Sequence, residues 1–332
     1  MKDYGVSVLE QYDIDVKETH RVRGGILASA ENGVFLLKEM YILPERMEFL
    51  IRIYKLLEEG GMNLTDMPVA NKEGEYLAKA EDGTSYMLKR WFLGHECDIK
   101  KVAEVLEGVR ALARLHSKMK IPVTDGEKRK QEAKRPLLEE YERHNRELRK
   151  VYAFVKKRSV KNEFEAEFLK GYEKMYQQAQ TALDKMKEPR YIQVCENAWN
   201  NQEVSHGDYN YHNIIFAPQG TCVMGFERAH VEIQLSDLYY YLRKILEKYH
   251  YDERIAYKML RAYDSVIPLG KDQRDYLAIR LSYPEKFWKI VNAYYHSNKA
   301  WIPGKNVEKL RISIAQTEEK KRLLEGIFAF HF

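Results

Sequence analysis

His206-Gly207-Asp208-Tyr209-Asn210-Tyr211-His212-Asn213-Ile214-Ile215-Phe216 reads as a polar loop running into an apolar strand. Behind a His, an Asp and an Asn stand five residues apart. That order suits phosphoryl transfer, in which the Asp of one short loop receives or orients an acceptor hydroxyl while the Asn binds Mg²⁺. Asp208 and His206 are therefore the catalytic candidates, and Asn213 is a candidate metal ligand. The plainer reading is a polar turn in which His206 and Asp208 only hydrogen-bond in place, and a three-residue pattern alone does not separate the two. A zinc site from His206, Asp208 and His212 is a further option. Zinc sites draw on spaced His or Cys pairs, however, and no second cluster follows.

The next stretch, Thr221-Cys222-Val223-Met224-Gly225-Phe226-Glu227, sharpens the question. Sites of this kind place a carboxylate at the end of the strand after the loop, where it coordinates the Mg²⁺ bridging the phosphates. Position 225 is a glycine and offers no side-chain ligand. Mg²⁺ is normally held by one or two carboxylates with phosphates and water, so the loss of one is serious. If the strand continues, Glu227 falls on the same face two residues on, and it is the second metal candidate.

Upstream, the chain has strand texture. Strands are expected over 16–22, 26–30 and 34–38, with Asn32-Gly33 as a hairpin turn between the last two. A helix over 45–59 follows from Met47, Leu50, Ile51, Tyr54 and Leu57 on one face, and Gly60-Gly61 ends it. Strands at 76–80 and 85–91 flank the turn Glu81-Asp82-Gly83-Thr84. Lys38 ends an apolar strand and is a candidate for nucleotide phosphates, with Glu45 or Glu48 of the next helix as its carboxylate partner. Arg23-Gly24-Gly25 offers backbone donors but lacks any phosphate-loop pattern, and a tight turn explains it equally well. These elements make a β-rich nucleotide lobe of residues 1–93.

Residues 94–332 turn helical. Val102, Val105, Leu106, Val109, Leu112, Ala113 and His116 repeat at helical spacing, and 121–135 reads as a basic loop. Further helices are expected at 137–157, 164–186, 238–249, 253–263, 272–283, 284–295 and 307–328, with only a short connector before the loop at 206. Ser236-Asp237 reads as a helix cap. A β-rich lobe followed by a larger helical lobe makes this an α+β protein.

Composition excludes several classes. The 332 residues are enough for two cores, and 45% hydrophobic with 32% charged residues is ordinary for a globular chain. A net charge of +5 is small for this length, and the basic stretch 126–176 is interleaved with glutamates, so neither nucleic acid nor membrane is expected as a partner. The three cysteines form no pair spacing, which points to a reducing compartment or buried thiols. No signal-peptide core or membrane-length apolar run occurs, and a cytoplasmic protein is expected. The 24 tyrosines cluster on helix faces and suggest a binding surface.

With these residues in hand, the chain resembles the CotS-type spore coat proteins, within the aminoglycoside phosphotransferase and choline kinase-like superfamily. The resemblance spans nearly the whole chain. It rests on the catalytic-loop segment, on residues 86–96 (Tyr-Met-Leu-Lys-Arg-Trp-Phe-Leu-Gly-His-Glu), on 111–116, and above all on 281–289 with Asn292-Ala293-Tyr294-Tyr295 and Trp301. It implies a bilobal protein-kinase-like fold and an association with other spore coat proteins, first in the mother-cell cytoplasm and then in the coat. Carried over, Asp208 matches the family's catalytic Asp, Asn213 its metal Asn, and, less closely, Lys38 its nucleotide Lys, with Glu45 or Glu48 as the carboxylate beside it. ATP and Mg²⁺ would serve an active member acting on a small-molecule hydroxyl acceptor. Gly225, with Glu227 as the remaining acid, is where this chain departs, and it suggests a pseudokinase.

Overall fold

The computed structural model describes residues 4–22, 24–122, 137–296 and 304–331. Part of the 121–135 loop, Arg23 and Trp301 lie outside the described residues. The chain divides into two compact units. One gathers the residues up to Ile121 with Val204–His230, and the other gathers Pro122–Glu203 with the chain from Val231 on.

The first unit is built on a five-stranded antiparallel sheet of β1 (Val16–Val22), β2 (Gly25–Ala30), β3 (Gly33–Glu39), β4 (Ala78–Lys79) and β5 (Ser85–Trp91), in the order β1-β2-β3-β5-β4. Alternation along β3 sends Phe35 and Leu37 into a core with Val8, Leu9, Tyr12, Ala28 and Leu88. Leu36 and Lys38 belong to the opposite face. Across β5, Leu36 is in register with Lys89 and Lys38 with Met87, so Lys89 shares that opposite face. The strand expected at 76–80 shrinks to Ala78–Lys79.

Helix α1 (Pro44–Glu59) starts with Pro44 in its first turn, where a missing N–H is harmless, and buries the expected stripe from Met47 to Leu57. Strand β6 (His95–Glu96) follows, then α2 (Val102–Lys118), and β7 (Val204–Ser205) opens the polar loop. Beyond the loop, β8 (Ile214–Ala217) and β9 (Gly220–Val223) complete a small sheet in the order β6-β8-β9. The irregular segment Leu64–Val69 is tied to both sheets. Val223 N donates to Leu64 O at 3.0 Å, Arg90 N to Met67 O at 2.9 Å, and Val69 N to Leu88 O at 2.8 Å.

The second unit is helical: α3 (Leu137–Lys157), α4 (Glu163–Met186), α5 (Pro189–Asn200), α6 (Leu235–Leu246), α7 (Glu253–Asp264), α8 (Lys271–Ser282), α9 (Glu285–His296), α10 (Gly304–Ala315) and α11 (Thr317–Phe328). The α4 stripe of Phe164, Phe168, Tyr172 and Met175 packs against Phe287, Trp288 and Val291 of α9. Three expectations need correction. The connector before the loop is the helix α5, begun by Pro189. The helix at 307–328 is two helices broken at Gln316. Neither Ser236 nor Asp237 is the N-cap of α6, since both fall inside its first turn and Gln234 precedes it.

Twelve of the 24 tyrosines are core. Tyr141, Tyr239, Tyr241, Tyr263 and Tyr276 are all under 2% exposed. Several hydroxyls find buried partners that make this affordable: Tyr239 donates to Glu285 at 2.6 Å and Tyr283 to Asn145 at 2.9 Å. Among the described residues no helix is long and apolar enough to cross a membrane.

Candidate active site

All the residues of the polar loop lie within the first unit. Tyr209 is fully buried and donates to Gly108 O at 2.6 Å, which pins the loop to α2. His206 is also fully buried. Its Nδ1 accepts the Asp208 N–H at 3.2 Å, so the proton sits on Nε2, which donates to Met224 O at 3.0 Å. With both ring nitrogens engaged, His206 braces the loop against the end of β9. Gly207 has φ +78°, and a Cβ there would lie 2.2 Å from Arg228 O, so only glycine passes.

Asp208 is half-buried. Its Oδ1 accepts from Asn210 Nδ2 at 3.1 Å, and its carbonyl accepts from both Asn210 Nδ2 and Asn213 Nδ2 at 2.9 Å. Met224 N donates to Asn213 O at 2.9 Å, which brings the loop alongside Gly225. His212 instead turns out to Glu96, 2.5 Å away, so His206, Asp208 and His212 do not converge. Among the described residues no group of three or more His, Cys, Asp or Glu side chains could hold a metal.

Strand β9 ends at Val223, and Gly225 adopts the left-handed region at φ +84°, ψ +49°. The chain then makes a tight helical turn over Phe226–Arg228. The expectation that Glu227 continues the strand face therefore fails. The turn carries Glu227 toward two lysines: its Oε1 lies 2.9 Å from Lys89 Nζ and 3.4 Å from Lys38 Nζ. Its backbone carbonyl accepts from Arg46 at 2.7 Å. The carboxylate that Lys38 meets is thus Glu227, while Glu48 stands exposed on α1.

Lys89 also ion-pairs with Asp66, and these two side chains are only 2% and 3% exposed. Asp66 Oδ1 accepts from Tyr54 OH at 2.8 Å, and its Oδ2 accepts from Gly225 N at 2.9 Å. Burial alone would lower the Lys89 pKa, but Asp66 and Glu227 outweigh it and raise it, so the ammonium stays charged. Burial would likewise push the Glu227 carboxyl up, yet Lys89 and Lys38 hold it down at about 2. Phe226 packs with its ring tilted against Tyr54 at 5.0 Å and against His206 at 4.6 Å, which closes the network from behind.

Neither Asp66 nor Lys89 was singled out by the sequence, although one signal was present. Lys89 is in step with Met87 on β5, and a lysine in phase with a buried residue needs an anion. For Mg²⁺ the set is depleted. Position 225 has no side-chain ligand, and Glu227, the one acid of the turn, is taken up by two ammoniums. The Asn213 amide, whose Nδ2 donates to Asp208 O, keeps its oxygen as a ligand atom.

A family model described as "Spore coat putative kinase YutH" matches residues 6–327. Spore coat protein S of Bacillus subtilis (strain 168) is 27% identical over 308 residues, 90% of this chain and 84% of that protein. An aminoglycoside phosphotransferase from Alicyclobacillus acidocaldarius superposes with a TM-score of 0.86 at 19% identity, covering 97% of this chain and 94% of that one. A spectinomycin phosphotransferase, solved with ADP and spectinomycin, gives 0.65 at 12% identity over 96% and 98%. At these identities the superpositions show the fold, which is protein-kinase-like.

Proposed function

The chain belongs to the YutH family of spore coat kinase-like proteins, and from that premise we propose that it is a spore-coat-associated pseudokinase. It is made in the mother-cell cytoplasm, joins the coat, and acts there by binding other coat proteins. The observation that carries this reading is Gly225. It stands in a left-handed turn where the strand-end carboxylate of a phosphotransferase belongs. The nearby acid, Glu227, is neutralised by Lys89 and Lys38. Asp208, with His206 bracing it, is the remnant of the catalytic loop. The test is ATP turnover by purified protein with Mg²⁺. Robust turnover abolished by Asp208→Ala would sink the proposal.

A second reading is an active ATP-dependent phosphotransferase with a small-molecule hydroxyl acceptor. Asp208 favours it, since its half-buried carboxylate is oriented by Asn210 as an acceptor hydroxyl would need. In that reading Lys38 and Glu48 serve the nucleotide, and Asn213 and Glu227 the metal. ATP with Mg²⁺ at about 100 times its Kd should then stabilise the protein by about 2.7 kcal/mol. A flat thermal titration at millimolar ATP removes this reading.

A further inference from the structure

The disagreement between these residues and a divalent ion has a specific form. Gly225 N–H donates to Asp66, Glu227 stands two residues on, and one ammonium, Lys89, closes both carboxylates. In phosphoryl-transfer sites a divalent cation supplies the positive charge between carboxylate and phosphates. Here a positive charge between carboxylates is covalently part of the chain. Resting on the reading of this centre as retired from phosphoryl transfer, we infer that Lys89 is a resident cation. Its ammonium closes Asp66 and Glu227 to divalent metal, and its removal turns the pair into a site for a hard ion such as Mg²⁺ or Mn²⁺.

Three features carry this. The first is rigidity. Lys89 sits in the middle of β5, and Asp66 lies in a segment hydrogen-bonded to both β5 and β9, so backbone holds the partners together. The second is saturation. Asp66 receives Tyr54 OH, Gly225 N–H and Lys89, while Glu227 Oε1 receives Lys89 and Lys38. The third is charge. Two carboxylates face two ammoniums, with the Arg46 guanidinium on the Glu227 carbonyl besides, so no negative charge is left over before any ion arrives, and a divalent cation would meet like charge on the very oxygen it needs. With Lys89 at 2% exposure, solvent ions cannot simply exchange with it. Remove the ammonium, and the Asp66 and Glu227 carboxylates that shared it are left facing the place it held, the oxygen-rich setting hard divalent ions prefer.

The experiment uses the full chain without nucleotide and Mg²⁺ or Mn²⁺ chloride as the only probe. Lys89→Met keeps the length of the apolar stem and removes the charge. The expected result is a wild-type Tm insensitive to millimolar Mg²⁺ or Mn²⁺, and a Lys89→Met Tm that rises by several degrees. Adding Glu227→Gln to Lys89→Met should abolish that rise. A cation-dependent rise in the wild type, no rise in folded Lys89→Met, or a rise that persists in the double variant overturns the inference. If Lys89→Met does not fold, it is refolded with and without the cation. Recovery only with cation supports the inference, and equal failure overturns it. Because no arm uses ATP, these results stand apart from ATP binding and turnover, which test the pseudokinase reading.

Discussion

Lys89 Nζ lies 2.9 Å from Glu227 Oε1, and this pair links β5 to the turn that follows Gly225. It also sets an acid limit. Burial would push the Glu227 carboxyl up, but Lys89 and Lys38 hold it at about 2, below its ordinary 4.5. A carboxyl depressed on folding gives stability that is present above 4.5 and lost as pH falls toward 2. That interval is worth about 3 kcal/mol. Asp66, which burial raises against the pull of Lys89, acts with the opposite sign. Glu227→Gln removes this group and, with it, one of the charges that raise Asp66. In urea unfolding, the stability gap between wild type and variant should narrow steadily between pH 4.5 and 2, and a constant gap would contradict the assignment.

Tyr54→Phe tests the other side of the cluster. The hydroxyl donates to Asp66 Oδ1 at 2.8 Å, while the ring packs on Phe226. The variant keeps the ring contact and loses a hydrogen bond to a buried carboxylate, a loss of about 1.5–3 kcal/mol. The urea midpoint should fall with an unchanged slope, and an unchanged midpoint would show that Asp66 does not depend on the hydroxyl.

Restoring the missing acid should not be simple. Gly225 has φ +84°, and a Cβ there would lie 3.2 Å from Asn213 Nδ2. Gly225→Asp is expected to lose about 1–2 kcal/mol, because an L residue is strained in this region and the Asn213 amide must give way. Lys89 would still neutralise the cluster, so Mg²⁺ should not recover the loss. Thermal unfolding with and without Mg²⁺ reads both parts.

Much of the fold was legible because it is locally written. The β3 alternation, the Asn32-Gly33 turn and the α1 stripe each need only neighbouring residues. Helix α5 escaped because its only buried residues are Tyr191, Val194 and Ala198, too few for an obvious period. In the site, the order of Asp208, Asn213 and Gly225 was readable within one stretch. The partner of Lys38 was not, since Glu227 lies 189 residues away and arrives only because the chain turns at Gly225. Asp66 sits in an irregular segment with no periodicity, and its partner Lys89 is on a strand 23 residues later. Such placements belong to tertiary structure, where propensity carries no information.

Helix α4 offers a test of local structure in the second unit. Asn162 accepts from Glu165 N at 3.0 Å while the Glu165 side chain accepts from Asn162 N at 2.9 Å, a reciprocal capping box. Asn162 Nδ2 also donates to Tyr294 OH at 2.8 Å. Asn162→Ala should lower stability by about 1–2 kcal/mol in chemical denaturation, and Asn162→Asp by less, since it retains the cap. Equal losses would assign the effect to the Tyr294 contact.

The last prediction runs in the stabilising direction. Lys320 on α11 is buried, and its Nζ donates to Ser282 O at 3.1 Å. Burial lowers its pKa from 10.5 to about 8, with Glu247 opposing and Arg243 assisting. A base depressed on folding penalises the native state wherever it is charged. The folded protein binds fewer protons than the unfolded chain between 8 and 10.5, so stability rises across that range. At neutral pH the penalty is about 3 kcal/mol. Lys320→Met removes it and leaves Ser282 O without this donor, a loss of about 1–2 kcal/mol. The net expectation is a gain of about 1–2 kcal/mol at pH 7, read as a higher Tm, that disappears as pH approaches 10.5. A lower Tm at pH 7 would mean that the bond to the Ser282 carbonyl outweighs the burial of the charge.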